Sequence, residues 1–121
     1  MIIHFFPGLI AILCFRYLAN PPRVIVVGGE EVSTSHVTEI LDLETLTWTV
    51  GPDLGVPLLN PAGVTTRNGT FYVVGGYDRA PGQFSTSMYE FDDVNQAWKL
   101  WPDVLKRGRS ELVLFELGDE C

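Results

Sequence analysis

The side chains and backbone groups best placed for chemistry are two glycine pairs, two histidines, two cysteines and a scatter of carboxylates, and their spacing limits what each can do. Gly28-Gly29 and Gly75-Gly76 have the composition of turns whose backbone N–H groups cradle phosphate. Each pair, however, is followed by an acidic residue and, six positions later, a tryptophan: Asp42 to Trp48, and Asp92 to Trp98. That recurrence makes the glycines registration marks of an internal repeat rather than an anion site. His4 and His36 have no second ligand at a metal-binding interval. Cys14 and Cys121 lie at opposite ends of the chain, which suits neither a metal site nor a disulfide framework. The serines sit in turn-like contexts and not in a nucleophile motif, and Asp42 and Asp92 are better suited to organising turns than to sharing a proton. No catalytic, cofactor-binding or metal-ligating residue is expected from these patterns.

The elements that carry the repeat are strands. Val24-Ile25-Val26-Val27 and Phe71-Tyr72-Val73-Val74 concentrate the β-branched and aromatic residues favoured in sheets, and each run stops at its glycine pair. In the second copy the strands read as 62–67, 70–75, 87–92 and 97–100, with Asn68-Gly69 as a type I′ hairpin turn between the first two. Gly29 to Gly76 is 47 residues and Trp48 to Trp98 is 50, so three extra residues fall between Gly76 and Asp92. A period near fifty points to an array of four-stranded supersecondary units. The glycines permit sharp exits and close backbone approach, and both tryptophans are expected to pack between units.

Through Val26-Val27-Gly28-Gly29, Leu41-Asp42 and Trp48, and again through Val73-Val74-Gly75-Gly76, Phe91-Asp92 and Trp98, the chain resembles kelch-repeat proteins over residues 20–121. It departs from the family pattern at Leu41, where an aromatic is usual, and at Asn60-Pro61, where the family often has arginine. The resemblance implies an all-β fold of about two kelch-type β-propeller blades, each of four antiparallel strands, in an incomplete ring. The first copy would span 20–50, the second 62–101 and the start of a third 110–121, with 110–117 as its inner strand. It also implies a non-catalytic platform for a protein partner. Some kelch-like propellers are enzymes, including copper oxidases and sugar-acid isomerases, which gives the alternative reading.

Strand parity gathers the connections into two groups. The second-to-third connection and the exit to the next blade share one face, which places 30–36, 51–60, 77–86 and 102–109 together. Loops on a rigid scaffold commonly carry binding. The expanded loop contributes Tyr77, Asp78, Arg79 and Phe84 as first-choice contacts, joined by Glu30, Glu31, His36, Arg107 and Arg109. Lys106, Arg107 and Arg109 form one local basic cluster, whereas the net charge of −7 argues against an electrostatic grip on nucleic acid. Asn68 opens an Asn-Gly-Thr glycosylation sequon that turn chemistry explains equally well.

Two questions concern the ends. Phe5 to Phe15 is an eleven-residue apolar stretch, too short as a helix to span a bilayer core. Its length matches the core of a secretory signal ending near Ala19, yet no Lys or Arg precedes residue 16 and Tyr17 is bulky for a cleavage site; the competing reading makes residues 1–19 include the innermost strand of the first blade. The first reading gives a secreted chain, the second a cytoplasmic one. Strands for about two blades fall short of the four to eight that close a propeller. Either the chain is part of a larger propeller, or several copies complete a ring.

Overall fold

The computed structural model describes residues 12–16 as a strand, together with residues 22–29, 36–112 and 114. β1 (Ile12–Arg16), β2 (Arg23–Val27), β3 (Thr38–Asp42) and β4 (Thr47–Val50) form one antiparallel sheet in chain order. A second antiparallel sheet contains β6 (Ala62–Thr65), β7 (Phe71–Val74), β10 (Met88–Asp92) and β11 (Ala97–Trp101). The innermost strands β1 and β6 are neighbours, so the two sheets follow one another as successive blades of an all-β, unclosed array. No helix occurs among the described residues, and none is long and apolar enough to cross a membrane.

The core lies between the blades. Period-two alternation sends Ile25, Val27 and Ile40 of the first blade and Phe71, Val73, Tyr89 and Phe91 of the second into one cluster, with Leu54 and Leu58 from the connection between them. Trp98 closes this cluster. Its ring meets Phe71 and Phe91 edge-on, with centroids 5.9 and 5.1 Å away. Its indole N–H donates to the Thr38 hydroxyl at 3.0 Å and the Pro52 carbonyl at 3.2 Å, which satisfies a fully buried polar group on the first blade. Arg23 adds a bidentate ion pair across the same boundary, reaching Asp93 at 2.9 and 2.5 Å.

The repeat marks have local causes. Asp42 accepts hydrogen bonds from the Glu44 and Thr45 N–H groups, and Asp92 from those of Val94 and Asn95. These bonds organise the β3–β4 and β10–β11 turns and hold both carboxyls below the ordinary carboxylate range. The glycine pairs mark where the next inter-blade connection crosses a strand end. Gly29 donates to the Leu58 carbonyl at 3.1 Å and Gly76 to that of Arg109 at 2.8 Å. A side chain at Gly75, whose φ is +69°, would lie 2.6 Å from the Arg109 oxygen.

The first sheet draws its innermost strand from upstream of residue 20, where β1 pairs with β2 from Ile12↔Val27 to Arg16↔Arg23. Other expectations need correction. The Asn68-Gly69 turn is not type I′: Gly69 has φ +86° and Asn68 is absent from the positive-φ residues, while the Gly69 N–H reaches back to the Thr66 carbonyl. Trp48 does not pack between blades and is 55% exposed, because no described sheet faces it. Residues 110–112 and 114 carry no strand; the remainder of 110–117 lies outside the described residues.

Candidate interaction face

The connections grouped by strand parity do meet. Leu54 N–H donates to the His36 carbonyl, Arg79 N–H to that of Pro57, and Leu105 N–H to that of Thr86, at 2.9, 3.1 and 2.9 Å. The inter-blade loops therefore alternate with the within-blade loops in one continuous belt. The connection expected to be irregular is itself a small sheet. β8 (Tyr77–Asp78) and β9 (Gln83–Phe84) form a hairpin, and β5 (Leu58–Leu59) pairs with β8 from the preceding connection. Strands of two residues are too short to display alternation, so hydrophobic patterning did not reveal them.

The hairpin holds its side chains in defined roles. Tyr77 and Phe84 are cross-strand partners with rings in an edge arrangement, centroids 5.3 Å apart. Asp78 is turned inward to the chain: its carboxylate accepts from the Ala80 N–H at 2.9 Å, and its carbonyl from Gly82. It shapes the turn that Arg79 occupies. Phe84 remains 53% exposed. The 102–109 connection lies directly against it, for a side chain at Gly108 would overlap the Phe84 carbonyl oxygen. Arg107 and Arg109, both exposed, thus flank the point of closest approach to Phe84. Thr86 hydroxyl donates to Asp103 at 3.0 Å and further ties the two loops.

His36 sits elsewhere along the belt. Its Nδ1 pairs with Asp53 at 2.7 Å, and the Gly55 N–H, donating to the same carboxylate group, holds Asp53 below the ordinary range with His36 assisting. An imidazole on a carboxylate could accept a proton, but among the described residues no serine, threonine or cysteine hydrogen-bonds to it. The pair joins the second-to-third connection of the first blade to the inter-blade loop. Glu30 and Glu31 lie outside the described residues. Asn68 is exposed on the opposite face, in the β6–β7 turn. No group of three potential metal ligands converges among the described residues.

One cavity of about 400 Å³ lies on the sheet face of the second blade, where the 102–109 connection forms one wall through Val104 and Leu105. Its walls include Tyr72, Val74, Met88, Glu90 and Val104. With the repeat spacing, these are the counterparts of Ile25, Val27, Thr38, Ile40 and Leu54, the first-blade residues that receive the second blade. Two replacements alter this face. Glu90 stands for Ile40 and accepts the Trp101 indole N–H at 2.9 Å, while Trp101 stands for Gly51 and carries the Lys99 ammonium 4.2 Å above its ring. The cavity is an open blade face, and Trp48 lies on the first blade's other, uncovered face.

The two-sheet array with its glycine, aspartate and tryptophan marks agrees with comparison to known families: residues 59–103 match the kelch motif. That segment is a kelch repeat. The matched segment takes in every strand from β6 to β11, so the motif and the second blade coincide. No curated protein matches the chain. Among solved structures the chain is similar to a novel fungal alcohol oxidase with catalytic diversity among the AA5 family, in complex with copper. The likeness has a TM-score of 0.55 at 21% identity, covering 74% of this chain and 18% of that one. It shows a shared fold, and the chain spans less than a fifth of that larger structure.

Proposed function

We propose that these kelch-type blades serve as a non-catalytic protein-interaction module, with the partner held on the belt of loops around the β8–β9 hairpin. The observation that carries this reading is the combination of rigidity and exposure at Phe84. Its strand is anchored through β8 to β5, and its backbone is covered by Gly108, yet half of the side chain faces solvent. An immobilised aromatic loses little conformational freedom when a partner covers it, which is the property of binding anchors. Tyr77 supports the ring from beneath and Asp78 fixes the adjacent turn.

The two sheets act as the scaffold and contribute a rigid spacing between successive loops. Each sheet leaves one outer face open, and in this reading further blades cover them. The fungal copper oxidase provides a fold likeness alone.

The test is contact mapping with a photo-reactive side chain installed at Phe84 or, as control, at Val94, which is 92% exposed on the opposite face. Crosslinks from cell extract are expected at position 84 and not at 94, and Tyr77→Ala, Arg79→Ala and Phe84→Ala together are expected to remove partner binding. Binding unchanged in the triple variant would overturn this assignment of the face.

A further inference from the structure

We infer that the partner segment seated on this face is acidic, with an apolar side chain covering Phe84 and carboxylates facing Lys106, Arg107 and Arg109. The inference rests on the interaction reading above and adds the chemistry of the ligand. A chain of net charge −7 has concentrated three of its eight Lys and Arg residues within four positions of one loop. All three are exposed, and none forms an ion pair with a described carboxylate. Two carboxylates lie nearby in the chain. Asp103 is engaged by the Thr86 hydroxyl at 3.0 Å, and Glu111 faces the Asn60 amide at 3.5 Å.

The basic loop is also held in place. Leu105 N–H bonds to the Thr86 carbonyl, Gly76 N–H to the Arg109 carbonyl, and Gly108 fits only because it lacks a Cβ against Phe84. Backbone anchoring leaves the cationic side chains free for solvent or ligand while fixing their base beside an exposed ring. An anionic chain with one apolar residue satisfies both features at once: charge steers its approach, and apolar contact with Phe84 supplies residence. A nucleic acid is the weaker fit. Its affinity depends on neutralising a run of phosphates, whereas this patch offers three cations on an otherwise acidic chain.

The experiment measures fluorescence anisotropy with three labelled probes: a Glu- and Asp-rich decapeptide containing one leucine, the same peptide with lysine at every acidic position, and a ten-nucleotide oligo-dT. The acidic peptide is expected to bind, and to weaken as salt rises. The triple reversal Lys106→Glu, Arg107→Glu, Arg109→Glu is expected to weaken it about tenfold or more, since each exposed ion pair contributes modestly, and to confer binding of the lysine peptide. The reversal takes the net charge from −7 to −13, so an unchanged far-UV circular dichroism spectrum is required to show that the triple variant remains folded. Phe84→Ala is expected to weaken the acidic peptide with its salt dependence unchanged. The inference is overturned if the acidic peptide does not bind, if charge reversal leaves its affinity intact, or if oligo-dT binds more tightly. Persistent crosslinks at position 84 in any of those cases would leave the interaction face standing and remove only the acidic ligand.

Discussion

Trp48 and Trp98 occupy the same place in the repeat, and replacing each with phenylalanine should produce very different costs. In Trp98→Phe, the Thr38 hydroxyl and Pro52 carbonyl lose the indole N–H that now meets them at 3.0 and 3.2 Å. Thr38 is fully buried, so water does not readily replace the lost donor. An orphaned buried polar group costs about 1–3 kcal/mol, and the smaller ring forfeits part of its contact with Phe71 and Phe91, for about 1 kcal/mol more. The sum of roughly 2–4 kcal/mol corresponds to a fall in Tm of roughly 10 °C for a chain of this size. Trp48→Phe, at a position 55% exposed, should fall within about 0.5 kcal/mol. Urea unfolding followed by far-UV circular dichroism measures both. A double-mutant cycle isolates the hydrogen bond: Thr38→Val should cost less in the Trp98→Phe background than in the wild type, with a coupling of about 1 kcal/mol. Equal costs at the two tryptophans, or strict additivity with Thr38→Val, would refute the assignment of Trp98 as the polar and aromatic lock between blades.

Arg23→Lys keeps the charge but loses the fork that grips both Asp93 oxygens; stability should fall by about 1 kcal/mol, and an unchanged urea midpoint would count against the clamp. Asp92 is held below its ordinary value of 3.8 chiefly by the Asn95 N–H, so its contribution is present above that value and fades as pH falls through the folded pKa. The stability gap between the wild type and Asp92→Ala should therefore be constant above about pH 5 and shrink below about pH 4; a gap unchanged down to about pH 2 would show that the turn bonds do not distinguish the ionised form. Gly108→Ala drives a carbon into the Phe84 carbonyl oxygen and should push the 102–109 loop off the hairpin. Hydrogen exchange at Leu105, whose N–H reaches Thr86, should accelerate by at least about tenfold with the blade strands unaffected, and unaltered exchange there would contradict the packing.

Much of the scaffold is legible in the sequence. The apolar runs ending in Gly28-Gly29 and Gly75-Gly76 mark strands because alternation and a strand-ending turn are encoded within a few neighbouring residues. Asp42 and Asp92 organise turns because the N–H groups they bind lie two and three residues away. The sharing of one face by four connections followed from counting antiparallel strands. The hairpin of β8 and β9 was not legible, since two-residue strands have no period and their partner β5 belongs to a different connection.

The sequence by itself determined a repeating strand pattern, its turn chemistry and the order of its loops, all of which depend on short-range spacing. Only the tertiary structure decided which copies of the same mark differ. Trp98 is enclosed because the first blade stands opposite it, while Trp48, with the same motif, faces outward. It likewise brought Arg23 to Asp93 across 70 residues, His36 to Asp53 across 17, and Gly108 onto Phe84. The first contact arises from one blade lying against the next and the other two from connections lying side by side on one face; local sequence periodicity contains neither geometry.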